Sequence, residues 1–317
     1  MVLPAIIDGS IRDRGVQRWL ARADLECDLQ SQEMLTRVLV SIGQEPCSDG
    51  LAALRFWGQT GDRPAVWMAA ADPVHLEAQL DHLRVRSLWP DEWQQEELRQ
   101  LFDELQELLA EDDAVGFIPL GSCGYIRSES SIPTAAFSVE TVSGSDPVDF
   151  LPAGVAAERY QALLSEIQMA LHNSQINQRR ESSNMRAINS LWIWGGGMAA
   201  EGRSRDLPPL VADEMVMRGY WLSSSATADP WPGSLAQCAA QFPRGFVAVV
   251  PDLAGSAEEH AATLDGCLRD LRQMMRERNL RHLILLFRRG VTVHIRPRQI
   301  FRVWRREFAG LSPGFAG

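Results

Sequence analysis

At each end of this chain short, continuously apolar runs alternate with amphipathic stretches, and the middle breaks that rhythm; no other feature limits the fold as strongly. A strand apolar at every position is buried on both faces, as in a parallel sheet covered by helices. Val2 to Ile7 reads as such a strand, ending at Asp8-Gly9-Ser10, with an amphipathic helix through Arg12 to Ala23. Near the other end, Gly245 to Val250 and His282 to Phe287 read as buried strands around a helix from Ala257 to Arg278. Val291 to Ile295 follows as an antiparallel-looking piece, and an arginine-rich helix is expected over Arg298 to Phe308.

The middle reads differently. Ala65 to Ala71 and Leu83 to Leu88 form a two-strand unit, and a long helix is expected from Glu92 to Glu111, its apolar stripe running Leu98, Leu101, Phe102, Leu105, Leu108 and Leu109. Phe117-Ile118 and Tyr125-Ile126 look like further strands, and Ser128 to Pro152 like loops around one short strand. A helix from Val155 to His172 carries Leu163, Leu164, Ile167 and Leu171 on one side and gives way to a polar, loop-like segment, Asn173 to Ala187. Ile188 to Trp194 is then a buried strand that runs straight into Gly195-Gly196-Gly197, where the backbone can approach another segment or a ligand closely. Strands and helices alternating on both sides of a mixed centre imply an α/β core interrupted by an α+β insertion.

At 317 residues, about two domains, or one with a large insertion, are expected. The net charge of -10 disfavours tight non-specific binding to a phosphate backbone, so nucleic acid is not an expected partner. All 31 basic residues are arginine, which excludes a P-loop lysine, a Schiff-base lysine and a Ser-Lys dyad. The cysteines Cys27, Cys47, Cys123, Cys238 and Cys267 are odd in number, widely spread and without a C-x-x-C pair. Neither a disulfide framework nor a thiolate zinc site is indicated, and a reducing, cytoplasmic compartment fits. The apolar stretch before Asp8 is short, and no window nears the roughly 18 apolar residues of a spanning helix, so neither secretion nor a membrane is expected.

Several residues have both a functional and a structural reading. Asp8 ends a strand where open α/β sheets bind ligands, yet Asp-Gly is also a common turn. Asp72 and His75 lie three apart after a strand, a spacing that suits a mutual hydrogen bond, one shared cation or a plain turn; zinc needs three or four ligands and no third is placed. Trp192 and Trp194 share a strand face, which favours core or interface packing over substrate stacking. Arg296, Arg298, Arg302, Arg305 and Arg306, with Phe301 and Trp304, could bind phosphate or nucleic acid, or form a solvated helix against an acidic body. His172, Asn177, Arg179 and Asn189 are the foremost site candidates, because an imidazole, two amides and a guanidinium can hold a carboxylate or phosphate. The scaffold alternative is that they satisfy backbone groups at a helix end.

Glu166 to His172, then Asn177 and Arg179, then Asn189-Ser190-Leu191-Trp192-Ile193-Trp194-Gly195-Gly196-Gly197 resembles a segment of archaeal-type cofactor-independent phosphoglycerate mutases, in which a His, an Asn and an Arg precede an Asn-Ser-Ile-Trp-x-Trp-Gly-x-Gly strand. The span from Ala65 to Tyr125 is similar to the insertion domain of that family. Ala71-Asp72-Pro73-Val74-His75-Leu76, taken with the Trp-Gly-Gly-Gly strand, resembles the RpfE-type regulatory proteins more closely still. The resemblance implies a reduced alkaline-phosphatase-like core over 1–62 and 188–317 with an α+β insertion domain over 63–187. It also implies a ligand site among His172, Asn177, Arg179, Asn189, Gly195, Gly197, Asp72 and His75, suited to a small phosphorylated or carboxylated metabolite.

Such mutases flank a phosphorylated serine with two divalent metals, which neutralise the transferring phosphoryl group. Here the family's metal motif would fall near Asp252-Leu253-Ala254-Gly255-Ser256 without its histidine, and Arg288-Arg289 stand where a later Asp-His pair would fall. The expectation is a non-catalytic regulatory or ligand-binding protein with no cofactor. One alternative is a mutase or related phosphotransferase using Asp8, Ser10, Asp72, His75, Asp252 and His260 around a divalent metal such as manganese. Another is an interaction module that presents its Trp- and Arg-rich surfaces to a protein partner.

Overall fold

The two apolar ends of the chain meet in one unit. In the computed structural model, contacts divide the chain into Met1–Pro46 with Gly202–Gly317, and Cys47–Glu201. The structure describes residues 1–4, 11–27, 32–80, 82–88, 94–109, 115–199, 206–251, 257–278, 280–288, 290–302 and 304–305.

The first unit begins with β1 (Val2–Leu3), α1 (Arg14–Ala21), β2 (Asp24–Cys27) and α2 (Met34–Ser41). Asp13 starts α1 by accepting the otherwise unpaired amides of Gly15 and Val16 at 2.6 and 3.0 Å. The second unit holds α3 (Leu51–Thr60), β3 (Trp67–Ala78), β4 (Leu83–Ser87), α4 (Gln95–Leu109), β5 (Val115–Leu120), β6 (Cys123–Ser128), α5 (Val139–Val142), α6 (Val155–Asn173), α7 (Gln175–Ser182) and β7 (Ser190–Gly197). The chain then returns to the first unit with β8 (Leu210–Val211), α8 (Met215–Ser223), β9 (Ala228–Asp229), α9 (Leu235–Gln241), β10 (Val247–Ala248), α10 (Ala257–Arg276), β11 (Leu283–Phe287) and β12 (Val291–Ile295). Strands and helices are mixed in both units, so the protein is α/β.

In the first unit β1 lies parallel to β11, and β12 and β2 follow as antiparallel neighbours. A second, all-parallel set runs β10-β8-β9. A parallel bridge between Val2 and Val249 joins the two sets. Leu285 and Phe287 of β11 are buried with Val16 and Leu20 of α1 and Leu264, Leu268 and Leu271 of α10, the core that the alternating pattern implies. Buried Arg37 of α2 pins the β11–β12 turn, giving Nη1 to the Phe287 carbonyl at 2.7 Å and Nη2 to that of Val291 at 3.0 Å.

The second unit is built on a five-stranded antiparallel sheet centred on β3. β7 pairs one edge of β3 from Met68 to Val74, while the other edge is shared by β6, over Trp67 to Ala70, and β4, over Val74 to Ala78. Asp72-Pro73 is therefore not a turn: β3 runs on to Ala78, and Pro73 stands in the gap between β6 and β4, where a missing N–H forfeits no bond on that side.

The polar segment 173–187 also differs from expectation, because it contains α7. Ser174 caps that helix, and its buried positions include Asn177 and Arg180, so no apolar periodicity announces it. Between 128 and 152 the expected strand is replaced by α5 and a 3-10 turn over Pro147–Phe150, with only a bridge from Ala135 to Trp194. The expected C-terminal helix is a 3-10 turn, Pro297–Phe301, and residues 306–308 lie outside the described residues. α3 and β7 belong to the second unit, whereas boundaries at 62 and 188 assign them to the core; both pack on β3, which holds them there. Among the described residues no helix is long and apolar enough to cross a membrane.

Candidate functional site

Side chains alternate across a strand, so β3 and β7 each offer two faces. Ala69, Ala71, Leu191 and Ile193 face an apolar core with Leu98, Leu101 and Phe102 of α4 and Tyr160 and Ile167 of α6. The opposite face, against which α3 packs, presents Asp72 and Trp194. There the sequence's conspicuous aspartate meets an arginine that no motif singled out. Arg55 of α3 places Nη1 2.8 Å from both Asp72 oxygens and gives Nη2 to the Gly124 carbonyl at 2.8 Å. Trp194 donates its indole N–H to Asp72 Oδ2 at 2.7 Å. The guanidinium lies 4.6 Å from the centre of the Tyr125 ring and 5.2 Å from that of Trp194. Tyr125 in turn donates to Gln59 Oε1 at 2.8 Å.

Arg55 is 6% and Asp72 7% exposed, so the pair is sealed from water. Burial is the largest influence and opposes the guanidinium's charge, but Asp72, Tyr125 and Cys123 together outweigh it and hold Arg55 above its usual pKa. Burial also lifts the Tyr125 phenol well above its ordinary range, against the pull of Arg55. A carboxylate that accepts an arginine on both oxygens and an indole on one has little left to offer a cation. The sequence signal was an arginine in the otherwise apolar run Leu51-Ala52-Ala53-Leu54, which a helix of that composition buries only with a partner.

Three candidates converge on the lead-in to β7, and what they hold is backbone. His75 Nδ1 lies 2.9 Å from the Ala187 carbonyl. Asn177 donates to the carbonyls of Leu171 and Ile188 at 2.8 Å each and accepts the Ile188 amide at 2.8 Å. Asn189 mimics a strand neighbour, accepting the Leu76 amide at 2.7 Å and donating to its carbonyl at 3.0 Å. Both amide hydrogens of Asn177 are committed, so none remains for a ligand. His172 is exposed in the last turn of α6, and exposed Arg179 donates to Gln100 Oε1 at 3.0 Å. Its neighbour Arg180, which sequence reasoning passed over, is buried, with Nη1 3.0 Å from Glu97 and Nε donating to the Arg186 carbonyl at 2.7 Å. Asn177→Ala is expected to cost roughly 2 kcal/mol by stranding the buried amide and carbonyl of Ile188. Urea denaturation would check it; stability within error of wild type would exclude the clamp.

The glycine run serves close packing. Gly195 has φ +63°, and a Cβ there would lie 3.1 Å from Leu51 Cβ. A Cβ at Gly197 would lie 2.6 Å from the Gly50 nitrogen. The backbone approach expected of this run is thus made to the start of α3.

Asp8, Ser10 and Asp252 lie outside the described residues. His260 sits half-buried on α10. Among the described residues, no group of three or more His, Cys, Asp or Glu is placed to hold a metal ion. The donors that would serve one do not fit: Asp72 is occupied by Arg55 and Trp194, and His75 Nδ1 faces a carbonyl.

No family model and no curated protein matches the chain. Among solved structures it is similar to the PH0037 protein from Pyrococcus horikoshii, with a TM-score of 0.50 and 12% identity, over 92% of this chain and 86% of that one. It is also similar to a cofactor-independent phosphoglycerate mutase from Thermoplasma acidophilum DSM 1728, with a TM-score of 0.42 and 14% identity, over 93% and 89%. At 12% identity the first likeness speaks to the fold alone.

Proposed function

We propose that the protein is a non-catalytic, ligand-binding or regulatory relative of the cofactor-independent mutases, of the RpfE type, with an alkaline-phosphatase-like core that no longer serves phosphoryl transfer. The observation that carries this reading is the fate of Asp72. The acidic residue of the Ala-Asp-Pro-Val-His run is bound by Arg55 and capped by Trp194, which makes it a structural anion. The missing histidine at Ser256 and the arginines at 288 and 289 support the same reading from the sequence side, since neither serine nor arginine would replace an imidazole or carboxylate in gripping two cations. The partner of such a protein is a small phosphorylated or carboxylated metabolite, and its output a contact with another protein.

Turnover tests this directly. Purified protein, assayed with manganese for mutase action on three-carbon phosphoglycerates and for phosphatase action, is expected to show no rate above the protein-free reaction and substoichiometric bound metal. Stoichiometric tight metal accompanied by turnover would sink the proposal.

A further inference from the structure

The arginines near the C-terminus gather around one hollow of the first unit. Antiparallel pairing sets Leu283, at the start of β11, beside Ile295, at the end of β12, and His294 beside Asp24, at the start of β2. The residues just before β11, just after β12 and at the start of β2 therefore share one end of the sheet. There a cavity of about 660 Å³ is lined by Arg281, His282, Arg296, Arg298, Arg302 and Asp24.

The floor of this hollow is fixed. Buried Gln299 donates to Asp24 Oδ2 at 2.9 Å and accepts the Arg296 backbone amide at 2.9 Å. Asp24 also takes Nη1 of Arg302, whose hydrogen bond, ahead of other contacts, holds that carboxyl below its usual pKa. Arg281, Arg296 and Arg298 differ from Arg302: among the described residues, none has a carboxylate within ion-pair distance. Four arginines against one aspartate leave the lining strongly positive in a chain whose net charge is -10. Lost solvation, then Arg296 and His294, lowers the pKa of His282, as a positive environment does. Like charges gathered on a pinned turn repel one another unless an anion sits among them.

We propose that this hollow is a binding site for a small free molecule bearing a phosphomonoester or paired carboxylates, its acidic group held by the guanidinium forks of Arg281, Arg296 and Arg298. Arginine forks match the oxygens of both groups, and the volume lies within the range of small-molecule sites, roughly 300–1,000 Å³. The proposal rests on the ligand-binding reading above and gives that ligand a place apart from the Asn177 clamp. A polyanion is the poorer occupant, because the acidic body repels the phosphates that continue beyond the hollow.

The test is calorimetric titration of the full chain at low salt with glycerol 3-phosphate, citrate and inorganic phosphate as probes. Wild type is expected to bind glycerol 3-phosphate or citrate at one saturable site. Arg298→Gln should weaken that binding about tenfold, and Arg296→Gln with Arg298→Gln should abolish it. Both positions are exposed, so the variants should melt with wild type, and Arg99→Gln, on an exposed helix face of the second unit, should bind as wild type does. Undiminished binding in the double variant would overturn the site while leaving the ligand-binding reading in place. No binding by wild type would overturn the site and leave that reading without its ligand. Turnover of glycerol 3-phosphate would overturn the functional reading itself. Capture by anionic vesicles or single-stranded DNA, with the free probes inert, would replace the proposed occupant.

Discussion

Asp72→Ala is expected to melt the Cys47–Glu201 unit roughly 10 °C below wild type, because it leaves a buried arginine without its counter-ion. Both Arg55 contacts to Asp72 and the Trp194 indole bond end on this carboxylate, and at 6% exposure Arg55 has little access to bulk water in its place. Breaking a buried pair from one side costs about 3–5 kcal/mol, whereas replacing both partners with apolar side chains of similar volume is often close to neutral. Arg55→Met combined with Asp72→Leu should therefore be milder than either single change, and a double-mutant cycle in denaturant reads the difference. A catalytic or metal-binding Asp72 makes the opposite prediction: Asp72→Ala would lose activity or metal and leave stability almost untouched. Stability within about 0.5 kcal/mol of wild type would remove the structural account of the site.

Gly197→Ala should be nearly as damaging, costing about 3 kcal/mol, because the new methyl meets main-chain atoms and no rotamer relieves it. The added methyl would lie 2.6 Å from the nitrogen and 2.7 Å from the Cα of Gly50, which itself has φ +67°. Either β7 or the start of α3 must move, and β7 is held along its length by β3. Gly61→Ala is a useful comparison: its φ is +83°, but open space surrounds it, so it reports backbone strain without collision. Near-identical melting of the two variants would show that the close approach at Gly197 carries no weight.

The apolar strands and amphipathic helices were legible because burial writes them as periodicity: β12 matches its expected span at Val291 to Ile295, and α6 extends the expected helix by one residue. α7 was hidden, since Ile176 is the one apolar residue among its buried positions and Asn177 and Arg180 beside it are held by hydrogen bonds that apolar spacing does not encode. β3 runs seven residues past the end of its apolar run at Ala71, and the sharing of its edge by β6 and β4 is what makes Pro73 tolerable there. At the site, Asp72, His75, Asn177 and Asn189 stood out by type, but their partners are main-chain groups or distant residues such as Arg55. A lone sequence shows the polar side chain and not what satisfies it. The arginine-lined hollow was half visible, as Arg296, Arg298 and Arg302; Arg281 and His282 joined them through the β11–β12 register.

The bridge between Val2 and Val249, and the pairing of β1 with β11, bear on how the chain is made. On a ribosome β1 emerges before the neighbours that cover both its edges, and the whole Cys47–Glu201 stretch is translated between them. The contiguous Cys47–Glu201 stretch can fold in the meantime, as domains formed from uninterrupted sequence do. Through that interval β1 waits with its amides and carbonyls unpaired, an exposed apolar edge of the kind that a chaperone covers.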